Sequence, residues 1–320
     1  SASIDRFETI GFLLTGAPGC GKSYLATNQF PEYVLCKTGI ASRREKVRDH
    51  IFPIPSDPEQ KFFDLYWGQA WPVDDEFGSS REGADAFRAL NFVSTQIAQV
   101  NMAKLEEKGR CFISPFYVAC TNLESSEVFT TTMNNAQALG RRLFSVSVKV
   151  RQGRFALPGN QAGEERINMD LLTTELANCK TQEEECNLYD EAWYFREINF
   201  KTGNPIPYKN RADGKHFFKE IVDRIADEYR RKLVVQKENR IARHAISIEP
   251  DFPDQWVQDA DNKIDPKLYF PVTSDEEALQ QLLTSPPINM TPSEDINVAT
   301  PIYYLTKDQE NKQIPALEDR

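Results

Sequence analysis

Ile10–Thr15 (IGFLLT) is a short apolar run that stops at a glycine-rich turn, and Ser23 to Phe30 after it reads as a helix ended by Pro31. Tyr33–Cys36 has the character of a second strand. Ala84–Gln99 carries Phe87, Leu90, Val93 and Ile97 at helical spacing, and Phe112–Ala119 is an aromatic, apolar run suited to a buried strand. Leu143–Val150 alternates, with Phe144, Val146, Val148 and Val150 on one face. Residues 153–212 are rich in Gly, Asn and charge and show no period. Lys215–Arg243 predicts a long helix with Phe218, Ile221, Ile225 and Tyr229 along one side and Lys or Arg at nine positions. Strands alternating with helices predict an α/β fold, a mostly parallel sheet covered by helices on both faces.

Charge divides the chain. The net charge is −10, and residues 246–320 account for all of it with 15 acidic against 5 basic residues, together with nine of the nineteen prolines. Such a segment buries little and reads as an acidic linker or tail. The neutral remainder leaves nucleic-acid binding to local basic patches. Six cysteines lie scattered without CxxC spacing, which predicts reduced thiols rather than a disulfide framework or a zinc cluster. No apolar stretch approaches the ~18 residues of a spanning helix, and the first twenty residues lack a secretory pattern.

The strongest chemical signal is GAPGCGKS, Gly16-Ala17-Pro18-Gly19-Cys20-Gly21-Lys22-Ser23, which fits GxxxxGK[ST]. Its glycines let backbone N–H groups turn toward phosphates, Lys22 reaches the β- and γ-phosphates, and the Ser23 hydroxyl ligates magnesium. Cys20 contributes its backbone. Hydrolysis needs a second, acidic site at a strand end, one carboxylate for the metal and one for the attacking water. AWPVDDEFG (Ala70 to Gly78) supplies Asp74, Asp75 and Glu76 after a short run, although Pro72 is poorly suited to a central strand.

Together these segments resemble the superfamily 3 helicases of the AAA+ class, most closely the nonstructural ATPase of picornavirus-like positive-strand RNA viruses. FFDLYWGQAWPVDDEFG is similar to that family's lead-in to its acidic pair, Ala103 to Asn122 to its B′ region and motif C strand, and NAQALGRRLF (Asn135 to Phe144) to its arginine-finger segment. Counted from Gln69, the resemblance makes Asp75 and Glu76 the acidic pair, with Asp75 beside Ser23 as metal ligand; Asp74-Asp75 stays open as the alternative register. It further implies that Asn122 is the polar sensor, that Arg141 and Arg142 are fingers reaching a neighbouring subunit's nucleotide, and that Lys104–Lys108 lines a central pore.

The resemblance, strongest over residues 10–152 and fainter to about Leu233, together with the composition of the tail, implies three parts: an AAA+ ATPase core over residues 1–152, a C-terminal subdomain with the basic helix over 153–245, and the acidic linker or tail over 246–320. ATP and Mg2+ are the implied ligands. A homo-oligomeric ring (a hexamer), single-stranded RNA and other viral replication proteins are the implied partners, in host cytoplasm at membrane-associated replication complexes. In the resembling family a membrane-binding helix would precede Ser1, so the resemblance leads us to expect a piece of a longer polyprotein product. Three readings compete with a helicase: a remodelling ATPase that unwinds nothing, a P-loop kinase, and a replication scaffold assembled by ATP.

Overall fold

The structure is a computed structural model that describes residues 7–42, 44–55, 62–79, 83–96, 98–104, 108–122, 136–160 and 164–247. The expectations for Ile97, for Leu105 to Glu107 within the pore segment, for Asn135 and for residues 248–320 lie outside the described residues.

Seven strands form one sheet in the order β2-β3-β4-β1-β5-β8-β9. Here β1 is Ile10–Thr15, β2 Ile51–Pro53, β3 Trp71–Asp74, β4 Phe116–Thr121, β5 Leu143–Val150, β8 Trp193–Glu197 and β9 Lys215–His216; β6 (Ala156–Leu157) and β7 (Arg166–Ile167) form a separate hairpin. The first five strands of the sheet are parallel, and β8 and β9 extend it antiparallel. The expected α/β architecture is therefore present. Alternation sorts the core: Phe12, Leu14, Phe116, Val118, Val146 and Val148 belong to one apolar cluster, and Leu13, Tyr117 and Ala119 to another on the opposite face.

The helical run after the glycine-rich loop, α1, does not stop at Pro31. It passes from an α-helical turn (Lys22–Tyr24) through π-type turns (Leu25–Gln29) into α-helix again (Phe30–Lys37). The wide turns explain this. Phe30 N–H bonds five residues back to the Leu25 carbonyl, so the next carbonyl, Ala26, would look to Pro31, which has no N–H. The Trp71 indole takes that place, donating to Ala26 O at 2.8 Å. Tyr33–Cys36 is consequently helix rather than strand, with Val34 and Leu35 fully buried.

Four other segments depart from expectation. Helix α2 covers only Ala84–Phe92 and buries Ala86, Ala89 and Phe92, leaving Phe87 61% exposed. It ends where Ser94 Oγ turns back to the Asn91 carbonyl. β4 begins at Phe116 because Ile113 and Ser114 instead donate their N–H groups to Tyr66 Oη. The patternless stretch 153–212 holds the β6–β7 hairpin, α4 (Met169–Leu176), α5 (Gln182–Ala192) and β8, preceded in the chain by α3 (Ala136–Gly140). The last helix, α6, runs Phe218–Ser247, its predicted stripe of Phe218, Ile221, Ile225 and Tyr229 fully buried; Lys215 and His216 pair with β8 instead. No helix among the described residues is long and apolar enough to cross a membrane.

Candidate nucleotide site

Parallel strands present all their C-terminal ends at one edge of the sheet. Because β4 lies between β1 and β3, the loop after β1, the end of β4 and the turn after β3 sit in a row. Gly16 to Ser23 fills the first position. Gly21 sits at φ +99°, a left-handed conformation, and a Cβ there would lie 2.8 Å from the Trp193 ring. Trp193 itself donates from Nε1 to the Cys20 carbonyl at 2.7 Å, clamping the loop from below.

Lys22 is buried, and its ammonium donates to Gly16 O at 2.8 Å, Ala17 O at 2.9 Å and Asn122 Oδ1 at 2.9 Å. It makes no ion pair among the described residues. A buried, uncompensated cation at a helix start is a site for an anion. Cys20 Sγ is 3.8 Å from Nζ, and burial pushes its thiol pKa up, so it is no competing negative charge.

The acidic turn separates its three carboxylates. Asp74, the last residue of β3, is buried and points into the second apolar cluster, where Oδ2 accepts from Arg88 Nη2 at 2.9 Å and Tyr117 Oη at 2.8 Å. Burial raises its pKa against the pull of Arg88. Asp75 turns the other way and accepts from Ser23 Oγ at 2.9 Å through Oδ1. Glu76 is exposed and lines the same cavity from a left-handed backbone, φ +73°, rare for a residue with a side chain. Two bonds hold that turn: Phe77 N–H to Cys120 O at 2.8 Å and Gly78 N–H to Asp85 Oδ2 at 2.7 Å.

These groups line a cavity of about 490 Å³. Its polar side is Lys22, Ser23, Asp75, Glu76 and Asn122; its other side is Leu157, Arg166, Ile167 and Met169. Ser23 and Asp75 offer adjacent hard oxygens of the kind magnesium takes, and Lys22 supplies the phosphate-facing charge, so the residues fit a magnesium–nucleotide.

Arg141 and Arg142 are exposed at the start of β5. Leu143 pairs with Gly11 and Ser147 with Thr15, so the arginines lie at the opposite rim of the sheet from the loop, roughly 15 Å or more away along the strands. The structure does not bring them to the cavity of their own chain. Arg142 Nη1 donates to Ala138 O at 2.9 Å, and both arginines border a second cavity of about 380 Å³ with Phe200 and Arg224. Lys104 and Lys108 are exposed.

Residues 12–123, which span the loop, the acidic turn and Asn122, match the RNA helicase family. The core is thus similar to RNA helicases over the segment that carries the site. Over 150 residues the chain is 34% identical to the genome polyprotein of Human rhinovirus C (strain C15), a match that covers 47% of this chain and 6% of the polyprotein. The chain spans only that small share of its relative's length.

Sequence reasoning missed four residues around this site. Trp193 and Arg166 come from the stretch without a period, and Arg88 and Tyr117 reach Asp74 from α2 and β4. Ile167 N–H donates to Gly19 O at 3.0 Å, so the β6–β7 hairpin is bonded directly to the loop. No local pattern signals such contacts, since each joins residues far apart in the chain.

Proposed function

We propose that the chain hydrolyses ATP with magnesium and couples hydrolysis to unwinding or remodelling of RNA in viral genome replication. The observation that supports this most is the pair of contacts across the strand ends, Lys22 Nζ to Asn122 Oδ1 and Ser23 Oγ to Asp75 Oδ1, each 2.9 Å. They join three sequence motifs in one cavity.

In this reading Gly16 to Gly21 wrap the phosphates with backbone N–H groups, and Lys22 neutralises the β- and γ-phosphates. Ser23 and Asp75 hold magnesium, which when bound withdraws charge from the phosphates. Glu76 accepts the proton of the attacking water, and Asn122 orients that water or the γ-phosphate. Arg141 and Arg142 act on the neighbouring subunit's nucleotide in a homo-oligomeric ring, taken as a hexamer, because within one chain they are too far away. The apolar wall of Leu157, Ile167 and Met169 receives the base. Residues 1–152 are read as the ATPase core, 153–245 as its C-terminal subdomain and 246–320 as a tail. The partners are single-stranded RNA and other viral replication proteins, and the setting is host cytoplasm at replication complexes.

Lys22→Ala tests the reading. It removes the charge facing the phosphates, so hydrolysis is expected to vanish and nucleotide affinity to fall sharply. Phosphate release near the unmutated rate would refute the assignment.

A further inference from the structure

The sheet's two faces differ over β5, β8 and β9. On one, Val148, Val150, Trp193 and Phe195 pack into the core. Directly opposed residues in antiparallel strands share a face, and the register therefore places Lys149 with Tyr194, Ser147 with Arg196 and Arg196 with Lys215 on the other. These side chains are only half-buried.

Tyr194 is the hub of that face. The Arg196 guanidinium lies 4.9 Å from its ring centre, Lys215 Nζ 5.1 Å and the Arg151 guanidinium 5.4 Å. Countercharge is sparse. Asp213 pairs with Lys215 at 3.0 Å, but Lys149, Arg151 and Arg196 make no ion pair among the described residues. Arg196 and Arg151 each spend one N–H on a backbone carbonyl, of Asp213 and Trp193. By contrast, Arg44, Arg154, Arg211, Arg224 and Arg231 each face a carboxylate. Lys149, Arg151, Arg196 and Lys215 thus form a cationic ribbon in which only Lys215 is ion-paired among the described residues.

We propose that this face binds single-stranded RNA through its phosphates. Tyr194 holds the cations side by side and does not stack on a base, since cations crowd its ring. Such contacts carry no sequence preference and are strongly salt-dependent. The ribbon is distinct from the pore segment around Lys104 and Lys108, which lies between β3 and β4. It borders the nucleotide site, since Trp193, one residue before Tyr194, bonds to the Cys20 carbonyl. The inference rests on the reading of the chain as an RNA-acting ATPase.

The test is anisotropy of a labelled, unstructured oligouridylate titrated with the full chain across a range of salt concentrations. The comparison is with a Lys149→Ala, Arg196→Ala, Lys215→Ala variant. At about 0.7 per cation for single strands, the slope of log affinity against log salt should lose roughly 2 in magnitude, and affinity at ~0.1 M salt should fall on the order of a hundredfold. ATPase activity without RNA should be unchanged. The charge-conserving variant Lys149→Arg, Arg196→Lys, Lys215→Arg should bind like the parent.

Parental affinity and slope in the alanine variant overturn the proposal. So does equally poor binding by the charge-conserving variant, which would make side-chain shape rather than charge responsible. If the alanine variant keeps its RNA affinity but no longer binds an immobilised polyglutamate that retains the parent protein, the RNA proposal is overturned and the face belongs to an acidic polypeptide instead. A parent protein that binds no RNA at any salt removes the RNA reading as well, while the ATPase reading is tested separately by Lys22→Ala.

Discussion

Asp74, Asp75 and Glu76 are three adjacent acids with three different surroundings. A strand sends consecutive side chains to opposite faces, so Asp74 goes inward to Arg88 and Tyr117 while Asp75 goes out to Ser23. Glu76 follows in a left-handed conformation that costs on the order of 1 kcal/mol and aims it at the cavity. Neighbouring substitutions should therefore have opposite phenotypes. Glu76→Gln should bind ATP and fail to turn it over, with melting temperature nearly unchanged. Asp74→Asn should still hydrolyse ATP but melt earlier, because it leaves the Arg88 charge buried without its partner, a loss of up to about 3–5 kcal/mol. Trapped ATP in Asp74→Asn with an active Glu76→Gln would shift the acidic pair by one residue. The sequence showed where the acids lie but left their register open; the partners that distinguish them, Arg88 and Tyr117, come 14 and 43 residues later.

At the scale of elements, α1 shows why a proline read as a stop is not one here. Its π-type turns move the hydrogen-bond register to five residues, and the carbonyl that Pro31 cannot serve is served by Trp71 from β3. Trp71→Phe should therefore destabilise the fold by about 1–3 kcal/mol through an unsatisfied buried carbonyl, beyond any packing loss. In a Pro31→Ala background, where the backbone regains its N–H, the cost should shrink by about 1 kcal/mol. Urea unfolding of the four proteins of this cycle measures the coupling; strictly additive costs would show that the indole contributes packing alone. The strands beside the motifs and the stripe of α6 were legible because their periods are long and local. Tyr33–Cys36 was not, since four apolar residues suit a helix as well as a strand. Nor was the 153–212 stretch, whose α5 is fixed by a capping box between Thr181 and Glu184 rather than by an apolar stripe.

At the scale of the molecule, the sheet keeps the two halves of the proposed chemistry apart. Lys22, Ser23, Asp75, Glu76 and Asn122 gather at one edge, and Arg141 and Arg142 stand at the other. Charge developing on a γ-phosphate at the first edge would meet Arg141 or Arg142 only if a second subunit brought its opposite edge to it, so the proposed trans role makes the site a property of an assembly. An exposed surface arginine is worth about 0–1 kcal/mol, whereas an arginine finger is worth about 10³–10⁵ in rate, so the two roles differ by orders of magnitude. The most direct measurement mixes two inactive proteins: Lys22→Ala, which keeps its arginines, and an Arg141→Ala or Arg142→Ala protein, which keeps its phosphate loop. Phosphate release should be near zero for each alone and should reappear in the mixture, rising with the share of Lys22→Ala and then falling. A mixture that stays inactive while native gels show mixed assemblies would contradict a site completed in trans.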